Sequence, residues 1–407
     1  WYFAINNYMD LALQGDIYTN LSYALNITSS YVKRYKYSGS IEFRYEDNHT
    51  GLRNTPSFSS SNAFKFRWSH RQDSKAHPHR SFSANVNLVS SKFNQYTTNL
   101  SDYFNNTTTS SIAFSTKLGS YWNLTANLGE SYNVNTGAIS LDLPSVSVST
   151  TQIYPFRKKK KQGKNKWYED ISLSYRVNMI NKIDTYDTLL TSPDIFKSFR
   201  NGIIHSLPIQ SNVKIFKHLN WTNSIDYTER WYSNSISKTY NPATDLIDKD
   251  TVYGFIANRN ANFKSSLNTR LYGMFIFKKG FIKAIRHVIN PNISFTYTPD
   301  FSDPSLGFYD FYTDKEGKRI YYSRTENGIY GSPAQGASGI LNFSIGNNLE
   351  MKVKNTKDTI TGERKIILLE NFTIASGYDL AKDSLNWQPL RLTARTTLLN
   401  RLQINYS

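Results

Sequence analysis

The 407-residue sequence contains no cysteine. It therefore holds no disulfide, no thiolate metal site and no cysteine nucleophile. It also lacks any run near the roughly 18 consecutive apolar residues that a membrane-crossing helix requires, and its mean hydropathy is −0.52. That excludes helical spans but not a β-barrel, whose strands are apolar on one face only. No nucleophile elbow, phosphate-binding glycine loop, HExxH or paired-carboxylate signature occurs. No catalytic residue and no cofactor is assigned, and the chain reads as a non-enzyme. His77-Pro78-His79 is a close histidine pair, but His49, His70, His205, His218 and His287 are scattered without ligand spacing. A zinc site needs three or four convergent ligands, so the pair reads as an exposed turn and no metal is expected. Neither a methionine nor a signal sequence opens the chain at Trp1, and it ends at Asn405-Tyr406-Ser407 within an alternating stretch. The expectation is an internal piece of a longer protein.

What is present, from end to end, is alternation. Ile41-Glu42-Phe43-Arg44-Tyr45-Glu46, Phe64-Lys65-Phe66-Arg67-Trp68-Ser69 and Trp122-Asn123-Leu124-Thr125-Ala126-Asn127-Leu128 each place apolar residues at every second position. Period two puts them on one face of a strand and the charged or amide side chains on the other. The same rule holds for 8–18, where Met9, Leu11 and Leu13 oppose Asp10, Ala12 and Gln14, and for 21–28, 82–88, 112–118 and 171–177. It continues through 219–231, 263–275, 293–297, 341–345 and 349–353. At roughly 20 to 25 residues per strand plus loop, the chain holds about 16 to 18 strands. A short helix is expected over 193–200, where Pro193-Asp194-Ile195-Phe196 resembles a helix start.

Connections fall into tight turns, such as Thr19-Asn20 and Leu118-Gly119-Ser120, and long polar loops over 48–62, 91–110 and 243–250. That is the habit of an outer-membrane barrel, whose short turns face the periplasm. Aromatic residues make up 15% of the chain, with 29 Tyr and 24 Phe, which suits rings at the two bilayer interfaces. The net charge of +17 is spread over many strands and loops, which argues against nucleic acid and for an anionic glycolipid or membrane surface. The densest basic run is Arg157-Lys158-Lys159-Lys160-Lys161, continued by Lys164 and Lys166. A phosphate contact is one reading, and a solvated loop that blocks strand aggregation is the favoured one. Asn-x-Ser/Thr triplets fall inside strands as well as loops and follow from composition. The fold expected is all-β: a large antiparallel transmembrane β-barrel, present in part, with residues 1–407 as one barrel domain.

Three stretches resemble the barrel of LptD, the lipopolysaccharide-assembly family of the outer membrane, in its Bacteroidota-type form. Trp1-Tyr2-Phe3-Ala4-Ile5-Asn6-Asn7-Tyr8-Met9-Asp10-Leu11-Ala12-Leu13 runs as an aromatic pair, then Asn-Tyr-x-Asp and an alternating strand, and resembles that family's entry into the first barrel strand. Arg286-His287, followed by Pro291 and the Tyr-rich stretch to Phe301, resembles a mid-barrel motif, and Gly331-Ser332-Pro333 running into 341–346 is a third. The resemblance implies a barrel of about 26 strands, a preceding periplasmic jellyroll and further closing strands. It implies an LptE-type plug lipoprotein in the lumen and periplasmic bridge proteins that deliver lipopolysaccharide. Glycan would pass through the polar lumen, lined by Glu42, Arg44, Lys65, Arg67, Asn85 and Asn87. Acyl chains would leave sideways into outer-membrane lipid through a gate on the first strand, at Tyr8, Asp10, Leu11, Ala12, Leu13 and Gln14. Family members often weaken this seam with early prolines. Here the first proline is Pro56, and Gly15, Asp10, Gln14 and Asp16 are the visible softeners. The rivals are a nutrient-uptake barrel of the TonB-dependent kind and a soluble β-rich surface-binding protein.

Overall fold

In the computed structural model, one antiparallel sheet of twenty strands carries the chain from end to end, beside a separate two-stranded hairpin. The structure describes residues 1–407 apart from 52, 91–105, 159–162, 164, 217, 356–361 and 399–401. The first part is an unbroken meander: β1 (Tyr2–Asn6), β2 (Met9–Ile17), β3 (Tyr23–Lys33), β4 (Tyr37–Thr50), β5 (Ser59–Gln72), β6 (Arg80–Val89), β7 (Thr107–Leu118), β8 (Trp122–Asn133) and β9 (Ala138–Thr150). It continues through β10 (Ile171–Leu173), β11 (Arg176–Tyr186), β12 (Arg200–Ile215), β13 (Leu219–Asn241), β14 (Leu246–Asn268), β15 (Leu271–Ile276) and β16 (Ile282–Thr298). The hairpin β17 (Tyr309–Thr313) and β18 (Arg319–Ser323) leaves the sheet, which resumes with β19 (Ser338–Lys354), β20 (Glu363–Asp379), β21 (Arg391–Leu398) and β22 (Leu402–Tyr406). Among the described residues, no pairing joins β1 to β22.

Two of the twenty strands continue the one before. β10 and β11 both lie along β12, and β14 and β15 both lie along β16. That leaves eighteen rows, in line with the spacing of the alternating segments. Proline explains both breaks. The Pro208 carbonyl accepts from Ser174 N–H at 3.3 Å, and the Pro291 carbonyl accepts from Thr269 N–H at 3.3 Å. In an antiparallel strand a residue's N–H and C=O point to the same neighbour. Each proline therefore withholds its missing N–H from the strand that is interrupted opposite it.

The sheet is inside out by the standard of a water-soluble protein. Leu13, Ile27, Phe43, Phe66 and Leu88 stand opposite one another on one face. On the other, Gln14, Asn26, Arg44 and Lys65 form one row, and Thr28, Glu42, Arg67 and Asn87 the next. Asn85 belongs to the same polar face, opposite Ser69. Leu25 and Phe64 are 43% and 44% exposed, whereas Glu46 and Lys65 are 3% and 4% exposed. An apolar face turned outward and a polar face turned inward is the polarity of a transmembrane barrel sheet. The two outward aromatic levels, Tyr23 with Tyr45 and Tyr31 with Tyr37, are about eight residues apart along β3. At roughly 3.3 Å per residue that is about 26 Å along the strand and about 20 Å along the normal of a strand tilted by ~40°, so both levels fall near the edges of an apolar band of ~25 Å.

Because successive strands reverse, connections alternate between two rims. One rim carries 34–36, 119–121, 216–218 and 277–281, and the other carries 51–58, 187–199, 299–337 and 380–390. The basic connection 151–170 is the long exception on the short-turn rim. The expected loop over 243–250 is a correction: β14 starts at Leu246, and only 242–245 turns, with Asp245 at φ 54°. The polar residues of 246–250 lie in strand, paired with Ser237–Asn241 of β13. The expected helix over 193–200 is a 3-10 turn at Ile195–Ser198.

Candidate functional site

Three features of the sheet carry function-bearing geometry: the inward polar face, the β1 edge and the connection between β16 and β19. On the polar face, charges are paired within and across strands. Arg44 Nε lies 2.5 Å from Glu46 Oε1 and its Nη1 3.8 Å from Asp16; Arg67 Nη1 lies 3.5 Å from Glu42 Oε2. These rows place alternating charge and amide groups along the inward face of the sheet.

At the edge, the structure corrects the numbering of the expected gate. Asn6 Oδ1 accepts the Tyr8 N–H at 2.8 Å, a side-chain-closed turn that folds 1–6 back along 9–13. The first strand is thus β1, and Asp10, Leu11, Ala12, Leu13 and Gln14 lie on β2, with Tyr8 in the turn. Leu11 and Leu13 share the outward face, and Asp10, Ala12 and Gln14 the polar one. Between Met9↔Tyr31 and Ala12↔Thr28, the β2–β3 ladder lapses at Asp10 and Leu11. Side chains bridge the gap: Asp10 Oδ1 accepts the Ser30 N–H at 2.8 Å, and the Ser29 hydroxyl donates to the Asp10 carbonyl at 2.7 Å. Asp10, expected as a softener, thus stands where side-chain bonds take the place of backbone rungs.

The 299–337 connection was not foreseen as part of a site. It lies over the polar face of β11–β14. Tyr232 Oη donates to the Gly331 carbonyl at 2.7 Å, Arg230 Nε to the Tyr330 carbonyl at 3.1 Å, and Asn258 Nδ2 to Thr325 Oγ1 at 2.7 Å. Lys238 pairs with Glu326 at 2.6 Å. Burial pushes the Tyr330 hydroxyl up from its ordinary pKa. A Cβ at Gly328 would come 2.6 Å from Tyr232 Cζ, so only glycine lets the segment seat on that ring. The signal in the sequence was the Gly331-Ser332-Pro333 motif, although nothing local shows what it touches.

The remaining expected residues separate. Arg286 is on the polar side of β16 and pairs with Glu350 at 2.6 Å. His287 and Pro291 are on the outward side, His287 Nε2 lying 3.1 Å from Asn347 Oδ1. Arg157 lies over the Tyr154 ring at 3.5 Å and contacts Asp170 at 3.2 Å. Lys158 is exposed beside it, and Lys159, Lys160 and Lys161 lie outside the described residues. His77 and His79 are exposed in the 73–79 turn, where the His79 N–H donates to His77 Nδ1 at 3.2 Å.

Residues 1–407, the whole chain, match the family model described as LptD protein. No curated protein matches the chain.

Proposed function

Because the chain belongs to the LptD protein family, whose members take part in lipopolysaccharide transport at the outer membrane, we propose that it is the part of the translocon that passes lipopolysaccharide into the outer leaflet. The observation that carries this reading is the lapsed β2–β3 ladder, on a sheet whose outer face is apolar. Glycan and phosphates travel over the inward polar face. Acyl chains leave at β1–β3, where parting the strands at Asp10–Leu11 breaks side-chain bridges instead of backbone rungs. The short-turn rim faces the periplasm and the bridge proteins, the long-loop rim faces outside, and an LptE-type lipoprotein occupies the lumen. The work is transport without a catalytic step.

The test is in-cell photocrosslinking from positions 9–14 of the full-length protein, probed for lipopolysaccharide. Adducts that vanish when the ATP-driven supply stops support the route. Their absence at every position, with the protein folded in the outer membrane, turns the reading to a nutrient-uptake barrel. A Leu11→Lys, Leu13→Lys double variant places two charges on the outward face of the same seam and is expected to impair export; full export by it counts against the seam.

A further inference from the structure

We infer that the short-turn rim is a binding belt for anionic phospholipid headgroups. This rests on the sidedness proposed above, which sets that rim at the inner leaflet. The charge of the chain is not spread evenly between the rims once strand direction is known. On the short-turn rim, 33–37 carries Lys33, Arg34 and Lys36, and 277–283 carries Lys278, Lys279 and Lys283, with no acidic residue in either stretch. On the opposite rim, 242–250 carries Asp245, Asp248 and Asp250 against Lys249.

Arg157, Arg286 and Lys352 on the short-turn rim are paired with Asp170, Glu350 and Glu363, and its exposed turn lysines are the cations left over. Across the long-loop rim, Lys315 reaches Asp245 at 3.5 Å, and Lys238 and Lys249 share Glu326 at 2.6 and 3.8 Å. Among the described residues, no ion pair engages Lys36, Lys75, Lys278 or Lys279, and all four are exposed. Backbone bonds tie neighbouring turns of this rim together: Asp73 N–H donates to the Lys36 carbonyl at 2.8 Å, and Lys354 N–H to the Phe281 carbonyl at 2.9 Å.

The cations stand just beyond an outward aromatic girdle. Tyr31 accepts from Trp68 Nε1 at 3.0 Å and meets His70 Nδ1 at 2.8 Å. Gly39 leaves room for the Tyr31 ring, whose hydroxyl would lie 2.3 Å from a Cβ there. Arg34 and Lys75 lie 5.1 and 4.9 Å from the Tyr35 ring centroid, and exposed Phe277 and Phe281 flank Lys278 and Lys279. Rings at the hydrocarbon boundary with unpaired ammonium groups one step farther out fit a phosphate layer.

The test uses the full-length protein with its partner in vesicles of phosphatidylcholine, with and without phosphatidylglycerol, counting co-purified lipid by native mass spectrometry. Wild type is expected to enrich phosphatidylglycerol, and Lys36→Gln, Lys75→Gln, Lys278→Gln, Lys279→Gln together to reduce that enrichment on the order of tenfold at low salt. A control set on the opposite rim, Lys197→Gln, Lys315→Gln, Lys318→Gln, Lys382→Gln, is expected to retain it, with heat-modifiable gel mobility confirming that both variants fold. Equal enrichment in both sets, equal loss in both, or selective retention of lipopolysaccharide over phosphatidylglycerol by the four lysines would each overturn the belt. Sidedness is read separately. These residues contain no native cysteine, so Lys279→Cys reports its own exposure to an impermeant maleimide in intact cells. Labelling there overturns the sidedness, whereas protection with unchanged lipid enrichment overturns the belt alone.

Discussion

Ser30 gives its backbone N–H to the Asp10 carboxylate at 2.8 Å, while the rungs at Met9 and from Ala12 onward pair strand to strand. Removing the acceptor leaves that donor to water or unsatisfied. Asp10→Ala is therefore expected to cost about 1 kcal/mol and to speed amide exchange at Ser30 while Thr28 and Val32, whose N–H groups face the same side of β3, stay protected. Equal protection at Thr28, Ser30 and Val32 in the variant would show that Asp10 does not bridge the strands. Asp300 acts at the stem of the 299–337 connection. Its carboxyl is held below the usual carboxylate range chiefly by the Ser302 hydroxyl and backbone N–H, at 2.7 and 2.8 Å, with the Gly336 N–H at 2.9 Å closing the stem. A depressed folded pKa means that the contribution is present at neutral pH, above the ordinary value of about 3.9, and is lost as pH falls through the depressed value. Limited proteolysis within 299–337 is thus expected to accelerate on acidification below that range. Asp300→Asn should flatten this dependence.

At the scale of strands, Pro208 and Pro291 make predictions of opposite parts that nearly cancel. Pro291→Ala supplies an N–H toward 269–270, worth about 0.5–1.5 kcal/mol once bonded, and loosens the unfolded chain at a cost of about 0.4–1 kcal/mol. Net stability should shift by less than about 1 kcal/mol, while amide protection around Thr269 rises and β14 and β15 become one strand. A large loss of stability with no gain in protection would mean that proline is not the cause of the break. The alternation over 263–275 and over 171–177 reads as continuous in the sequence because side-chain polarity carries no record of which neighbour a backbone N–H faces.

For the whole molecule, the outward and inward faces should respond to charge in different ways. Phe43 lies midway along β4, in the outward row of Leu13, Ile27, Phe66 and Leu88. Phe43→Arg is expected to destabilise the protein in phospholipid vesicles by about 2–4 kcal/mol. Thr28→Arg, on the polar face opposite Glu42, is expected to cost less than about 1 kcal/mol. Reversible denaturant titration in vesicles compares the two, and equal costs would contradict the assignment of faces. The rows of Glu42, Arg44, Lys65, Arg67, Asn85 and Asn87 are legible as one face in the sequence, because side-chain direction in a strand has period two.

The sequence by itself determined the β class, the strand rows and which face of each meets lipid, since all three are written at positions i and i+2. It could not determine that 1–6 doubles back to make Tyr8–Gln14 a turn and a second strand, since a short side-chain-closed turn leaves no periodicity. Nor could it place 299–337 over β11–β14, where Arg230 meets Tyr330 across 100 positions of chain. The segregation of charge was equally hidden: lysines scattered along the chain collect on one rim only when strand reversal brings their turns together. Local pattern sets what each strand is, and long-range pairing decides where its ends meet.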